Sequence, residues 1–163
     1  MAMSILFVQT GGTLDKGYPK TTKGWAFEIG EPAFNHVLSR VNPGFDFETF
    51  TIFRKDSLEI NNEDREKLQD FIRKSNYKKI IITHGTDTLI DTAKFLIPTK
   101  DQVIVLTGAQ RPEKFKDSDA DFNLGLAVGA VSCLSEGVYV AMNGIVCSAS
   151  QISRCSRTGQ FSC

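Results

Sequence analysis

Five short apolar runs divide the sequence, and segments of helical length separate several of them. The runs predict β-strands at residues 5–8, 47–53, 79–83, 103–107 and 138–142. Parallel strands need long crossover connections, and the segments between the middle three runs are long enough to supply them. The pattern therefore predicts an α/β fold with a parallel sheet.

Polar and apolar spacing predicts four helices between these strands. The best defined one begins near Asn61, where a cap and early acids precede apolar residues at helical spacing. The others are predicted at residues 31–41, 87–96 and 117–134, with Pro32 in the first turn of the earliest. Residues 15–30 hold Gly, Pro and three Lys but few apolar residues. We expect a mobile loop there, over the strand ends, that could include a small hairpin.

Composition narrows the class of ligand and compartment. With 163 residues, of which 41% are hydrophobic, the sequence predicts one domain spanning residues 1–163. Nineteen basic and nineteen acidic residues cancel without a basic face, so a small neutral or zwitterionic ligand fits better than nucleic acid or a membrane. No signal-peptide core or apolar run of about 18 residues is present, which predicts a cytoplasmic protein.

The four cysteines lie in the last third of the chain, without the C-x-x-C spacing of a structural zinc site. Reduced thiols are the expected state. A redox role for the tail cysteines stays open, although Arg154 beside Cys155 is the one neighbouring group that could stabilise a thiolate. The two histidines form no metal-binding motif, so no metal site is predicted.

Candidate chemistry collects where the predicted strands end. Hydroxyl- and glycine-rich segments follow four of them, at residues 10–13, 55–59, 83–88 and 107–112. Because ligands bind at the carboxyl ends of parallel strands, four such loops favour one shared pocket. Thr13 fits a nucleophile or a threonine that merely caps a tight turn, and Asp87 fits a helix cap or a ligand for an ammonium group. His84, alone before a turn, is expected to be structural.

Residues 10–13, 84–88 and 107–112 closely resemble, in order and spacing, the signature segments of bacterial-type L-asparaginases. The likeness extends through residues 122–124 and 138–143. It implies a flavodoxin-like parallel sheet with helices on both faces. It also implies hydrolysis of a small amino-acid amide, asparagine first and glutamine as a further candidate, through a threonine acyl-enzyme and without a cofactor.

The resemblance implies a role for each matching residue. Thr13 would be the nucleophile, Tyr18 its partner on the lid, and Thr86 would activate water or assist the attack. Asp87 would bind the substrate's α-ammonium and Ser57 its α-carboxylate. The remaining substrate-binding positions are Gly12, Glu59, Gly85 and Ala109, of which the glycines and the alanine would contribute backbone groups.

The sequence departs from the family pattern at three points. Arg154 aligns with the family's catalytic lysine, and a guanidinium stays protonated and cannot act as a base. The part of the lid from Thr13 to Tyr18 is shorter than is usual in the family, and the family's C-terminal domain is expected to be absent. A homodimer is expected, since it would cover surface that this domain covers in relatives. The alternatives are a catalytically silent amino-acid binding domain and, in third place, a nucleotide-binding flavodoxin-like module, whose loop chemistry is wrong.

Overall fold

The computed structural model describes residues 3–163. The helices are α1 (Ala33–Val41), α2 (Asn62–Lys74), α3 (Leu89–Phe95) and α4 (Ala120–Cys133), with 3₁₀ turns at Thr13–Asp15 and Ser57–Glu59. The strands are β1 (Ser4–Gly11), β2 (Lys16–Gly17), β3 (Lys20–Thr21), β4 (Gly24–Trp25), β5 (Glu28–Ile29), β6 (Asp46–Lys55), β7 (Lys79–Thr83), β8 (Val103–Thr107), β9 (Gly137–Met142), β10 (Ile145–Ser148), β11 (Ser153–Arg154) and β12 (Phe161–Ser162). Within this part of the chain, no helix is long and apolar enough to cross a bilayer.

A six-stranded sheet in the order β10-β9-β8-β7-β1-β6 forms the centre of the domain. The pairs that involve β6, β1, β7, β8 and β9 are parallel, and β10 adds an antiparallel edge. Taken in chain order, the five parallel strands are arranged 2-1-3-4-5, which is the flavodoxin-like order. The predicted fold class is confirmed. In this order β6 and β7 lie on opposite sides of β1, so the chain changes its direction of winding there. A crevice therefore opens between the carboxyl ends of β1 and β7.

Alternate residues of β1 face opposite sides of the sheet and build two cores. Ile5 and Phe7 are buried with α1 and α4 on one side, whereas Leu6 and Val8 are buried with α2 and α3 on the other. All four side chains are at most 4% exposed. Each contributes about 1.5–3 kcal/mol through burial, which is why a sheet covered on both faces needs continuous apolar strands.

Helix α2 begins as predicted. The Asn61 side chain accepts a hydrogen bond from the Asp64 N–H at 3.0 Å, and the Asp64 carboxylate accepts one from the Asn61 N–H at 3.2 Å. This reciprocal capping box satisfies two N–H groups that the helix itself leaves unpaired. Such a cap typically contributes about 1 kcal/mol.

Helices α3 and α4 begin two and three residues later than predicted. The Thr88 hydroxyl donates to the Ser57 carbonyl at 2.7 Å, and this contact holds the turn before α3 out of helical geometry. Before α4, Asp117 pairs with Arg111, and the Asp119 carboxylate accepts from the Arg111 N–H at 3.1 Å. The first segment therefore bonds to another loop and the second bonds within its own loop, instead of continuing their helices.

The segment between β1 and α1 folds over the strand ends. Strand β2 pairs with β5, and β3 with β4, so the hairpin that the sequence allowed is present at Lys20–Trp25. Tyr18 stacks on Trp25, with ring centroids 6.1 Å apart, and packs at a tilt against Phe27, with ring centroids 5.0 Å apart. We call residues 16–30 the lid; its mobility stays a prediction.

Candidate active site

Glycines allow three strand-end loops to meet at backbone distance. A Cβ added to Gly12 would lie 2.4 Å from the Gly85 Cα, and one added to Gly85 would lie 2.6 Å from the Ser57 Cβ. Gly12 also has a φ of +93°, which side chains rarely tolerate. The turns after β1, β6 and β7 are thus packed against one another around the crevice.

The loop after β8 joins this group through Gly108. A Cβ there would lie 2.3 Å from the His84 carbonyl oxygen, so no other residue fits without a shift. Ala109 is buried with Leu14, Ala33 and Ala120 beneath the lid. The structure therefore brings together all four strand-end loops that the sequence indicated.

The threonines of these loops fall into two groups by their hydrogen bonds. The hydroxyls of Thr10, Thr88 and Thr107 donate to main-chain carbonyls at 2.7–2.8 Å and serve the fold. Within residues 3–163, the hydroxyls of Thr13, Thr83 and Thr86 have no such partner; Thr83 is fully buried, whereas Thr13 and Thr86 are partly exposed. These two hydroxyls are the ones free to contact a ligand.

Arg154 reaches the loop after β7 from the far end of the chain. Its Nη1 donates to the Thr86 carbonyl at 3.0 Å and to the Asp87 carboxylate at 3.3 Å. Its Nε donates to the Gly159 carbonyl, and its guanidinium lies 5.3 Å from the Phe161 ring centroid. Arg154 is therefore held directly against the Thr86-Asp87 pair.

Asp87 does not cap a helix. The N-cap of α3 is Thr88, which makes no side-chain cap hydrogen bond, and the Asp87 side chain is 53% exposed beside Arg154. The capping interpretation was wrong because the turn bends before α3 begins. An exposed carboxylate at the crevice stays available to a cationic group.

The structure places the remaining predicted residues at different depths. Ser57 is 1% exposed, and Glu59 is exposed, with its carboxylate accepting from the Asp56 N–H at 3.1 Å. The Gly12 N–H already donates to the Lys55 carbonyl at 3.0 Å and is not free for a ligand. Tyr18 is 54% exposed, and its hydroxyl makes no hydrogen bond in the described part of the chain, to Thr13 or any other group.

His84 is fully buried and satisfied at both ring nitrogens. Nδ1 lies 2.8 Å from the Gly85 carbonyl, and Nε2 lies 2.8 Å from the Thr92 hydroxyl. Arg65 Nε donates to the same hydroxyl at 3.0 Å, so Thr92 is free to donate onward to Nε2. Burial lowers the pKa of His84 to about 4, which keeps it neutral near pH 7. The residue positions the Gly85 turn and is not available as a base.

Residues 4–162 match the protein family described as Asparaginase, N-terminal. This chain belongs to that family. It is 28% identical over 165 residues to a glutaminase-asparaginase of Acinetobacter glutaminasificans, covering 93% of the chain and 49% of that protein. It is 30% identical to a probable periplasmic L-asparaginase of Haemophilus influenzae, covering 95% of the chain and 47% of that relative.

The fold agrees with this assignment. The thermostable L-asparaginase from Thermococcus kodakarensis superimposes with a TM-score of 0.82 at 29% identity, over 98% of this chain and 51% of that one. The chain therefore spans about half the length of the relatives that it matches. In the described residues 3–163, no group of three or more His, Cys, Asp or Glu side chains is arranged to hold a metal ion.

Two residues that sequence reasoning missed shape the crevice of this asparaginase-family domain. The Asp119 carboxylate accepts from the backbone N–H groups of Gln110 and Arg111 at 3.0–3.1 Å. Asn123, fully buried, donates to the Gly108 carbonyl at 2.9 Å and accepts from the Asn143 N–H at 2.9 Å. The sequence predicted a helix over residues 117–134, and no local signal indicated that Asp119 and Asn123 bond to the loop after β8.

Asp15 anchors the lid from below. Its carboxylate accepts from the Gln9 amide at 2.9 Å and from the Ala33 N–H at 2.7 Å, and the residue is 3% exposed. Gln9 also donates to the Gly30 carbonyl at 2.9 Å. Burial raises the pKa of Asp15 to about 6, although these two hydrogen bonds and the charge of Arg54 oppose the rise.

We expect an Asp15→Asn variant to gain stability relative to the parent as the pH rises from about 4 to about 6. The folded parent keeps its Asp15 proton up to about pH 6, whereas the unfolded chain loses it near pH 3.8. The stabilisation of the folded parent that comes from protonated Asp15 is therefore fully present below pH 3.8 and is lost as the pH rises through about 6. The difference in unfolding free energy should change by about 3 kcal/mol at most. Urea titrations of both proteins at several pH values measure it, and a constant difference would refute the assignment.

Proposed function

We propose that this domain is an asparaginase-type amidohydrolase that hydrolyses a small amino-acid amide with Thr13 as nucleophile. The observation that carries the proposal is the meeting of two turns at the topological switch point. Gly12 contacts Gly85, and the neighbouring Thr13 and Thr86 hydroxyls are left without protein partners. Two uncommitted hydroxyls where α/β folds bind their ligands support nucleophilic chemistry on a small substrate.

In the proposed reaction the Thr13 hydroxyl attacks the side-chain amide carbonyl, and ammonia leaves as the acyl-enzyme forms. Water then releases the acid and restores the hydroxyl. The oxyanion of each step needs donors that are not already used. Within residues 3–163 the N–H groups of Gly85 and Thr86 make no hydrogen bond and are candidates for this role.

We assign substrate recognition to the predicted set around the crevice. Asp87 would bind the α-ammonium and Ser57 the α-carboxylate, while Glu59 is a further substrate-binding candidate. Asp87 is exposed enough to be reached, but it already pairs with Arg154 at 3.3 Å. An incoming ammonium group would therefore share this carboxylate with the guanidinium.

The base that activates Thr13 has to come from a side chain that can accept a proton. Arg154 cannot accept a proton, and the lid residue Lys16 pairs with Asp56 at 2.9 Å. Lys20, exposed on β3, stays a candidate. This same observation favours the alternative function, a binding domain that keeps the amino-acid contacts without turnover.

Ammonia release from L-asparagine and L-glutamine, together with thermal-shift titrations of asparagine and aspartate, separates the two functions. Turnover that depends on Thr13 supports the amidohydrolase. A stabilising shift without turnover supports the binding domain. If the protein shows no turnover and no thermal shift with any of these ligands, both functions are refuted.

We expect Arg154→Lys to raise the rate of amide hydrolysis by about tenfold or more. A lysine can exchange a proton where a guanidinium cannot, and general acid–base catalysis contributes about 10²–10⁴ when it is well positioned. Arg157→Lys is the matched control, since that exposed arginine lies in the same hairpin. Comparing kcat of the three proteins for asparagine tests this, and an unchanged or lower kcat in Arg154→Lys would count against it.

We further propose a homodimer and a cytoplasmic location. Exposed aromatics on and beside the lid, including Trp25 at 62% and Phe27 at 57%, support an interface. Four free cysteines support a reducing compartment, although one relative is named as periplasmic. Sedimentation at micromolar concentration tests the first proposal, and fractionation of the native host tests the second.

A further inference from the structure

The last hairpin of the chain places one cysteine beside another. Strand β12 is followed by Cys163, whose Sγ lies 3.8 Å from the Val146 carbonyl oxygen on β10. The next residue of β10 is Cys147, and the neighbouring Cys163 thiol is one cause of the raised pKa of Cys147. Cys147 is 4% exposed among core residues that include Ile152 and Phe161, whereas Cys163 is exposed.

We propose that Cys147 and Cys163 form a reversible disulfide that fastens the β11–β12 hairpin to the edge strand β10. Both residues are free thiols in the structure, and the Cys163 thiol lies against β10 at the carbonyl of the residue before Cys147. The bond would link an edge strand of the central sheet to a two-stranded unit that is separate from it.

The bond would act on a functionally relevant side chain. Arg154 lies on β11, pairs across the hairpin with Phe161, and stacks on its ring. The same guanidinium contacts Thr86 and Asp87 at the crevice. Fixing the hairpin on β10 therefore fixes Arg154 at the site. Only this consequence rests on the proposed function; disulfide formation does not.

The reaction partner is a small-molecule disulfide such as oxidised glutathione. The exposed Cys163 thiolate attacks one of its sulfurs, so the S–S bond breaks and one glutathione thiolate leaves. The Cys147 thiolate then attacks the Cys163 sulfur and expels the second glutathione. Two protein thiols are oxidised, one glutathione disulfide is reduced, and the two protons pass to the released thiolates.

The environment of the thiols sets this order. Burial, together with the neighbouring Cys163 thiol, raises the pKa of Cys147 to about 11. Cys147 is therefore a poor first nucleophile, and part of this obstacle disappears once Cys163 is in the mixed disulfide. Cys155 is the competitor, because the Thr158 hydroxyl and the N–H groups of Thr158 and Arg157 lower its pKa.

Peptide mapping of the full chain after treatment with oxidised glutathione tests the proposal. Cleavage after lysine and arginine separates Cys155, in residues 155–157, from Cys163, in residues 158–163, whereas Cys133 and Cys147 share residues 117–154. The mapping is therefore done on Cys133→Ser as well as on the parent. We expect a linkage between residues 117–154 and 158–163 in both, together with the loss of two titratable thiols.

Two matched variants, Cys155→Ser and Cys163→Ser, distinguish the proposed disulfide from oxidation at Cys155. The linkage should persist in Cys155→Ser and disappear in Cys163→Ser, and oxidation should raise the melting temperature of Cys155→Ser by about 5 °C but not that of Cys163→Ser. Glutathione attached at Cys155 alone, or a linkage that includes Cys155, would overturn the proposal. Failure of ammonia release from the reduced parent would instead refute the proposed function and leave the mapping result unchanged.

Discussion

Replacing Thr13 with alanine is expected to lower ammonia release from asparagine by at least about a thousandfold. The methyl group of alanine cannot form an acyl-enzyme, and the neighbouring Thr86 hydroxyl sits on a different turn. Thr13 makes no side-chain hydrogen bond within residues 3–163, so the fold should tolerate the change. Steady-state kinetics of the purified variant provide the measurement, and its melting temperature should stay within about 2 °C of the parent.

Thr22→Ala is the matched control for this substitution. Thr22 is an exposed lid threonine, and its hydroxyl likewise has no partner in the described residues. The control should keep the kcat of the parent. If Thr13→Ala retained more than a tenth of the parental rate, Thr13 would not be the nucleophile, and the binding-domain alternative or another hydroxyl would have to be considered.

The second large effect is expected for Gly12→Ala, which should destabilise the domain by about 3 kcal/mol or more and abolish ligand binding. Gly12 combines a φ of +93° with a ψ of −178°, a conformation essentially restricted to glycine. The new Cβ would also lie 2.4 Å from the Gly85 Cα, so two turns of the crevice must separate. A fall in melting temperature of roughly 10 °C, measured by calorimetry, would reflect this loss.

Gly125→Ala provides the opposite expectation from the same chemical change. Gly125 is exposed within α4, and an added Cβ would meet nothing within 4 Å. Alanine is favoured over glycine in a helix by about 0.8–1.0 kcal/mol, so this control should be at least as stable as the parent. A Gly12→Ala variant as stable as Gly125→Ala would show that the close approach to Gly85 is not required.

Most of the fold was predictable because a parallel sheet covered on both faces needs strands that are continuous apolar runs, and such runs can be recognised in the sequence. Strands β7 and β8 match their predicted limits, since four consecutive buried positions in β7 and five in β8 give each strand a nearly continuous apolar run. The starts of α3 and α4 were not predictable. They depend on contacts of Thr88 with Ser57 and of Asp117 with Arg111, and spacing along a helix contains no information about such partners.

The candidate site likewise has a part that could be predicted from the sequence and a part that could not. The four loops were predicted because the carboxyl ends of parallel strands share one edge, and the structure brings them together. The contact of Arg154 with Asp87 spans 67 residues and could not be predicted from the residues alone. The catalytic and binding roles of these residues stay predictions until the kinetics are measured.

Asp119 and Asn123 connect the loop after β8 and the start of α4 with the turn after β9, which lies 20 or more residues further along the chain. Asn143, in that last turn, donates from its N–H to Asn123 and from its side chain to Asp119. These segments therefore form one cooperative unit that orders or loosens together. Substitutions at Asp119 and Asn143 should have non-additive effects, because after the first change the second has less structure left to disturb.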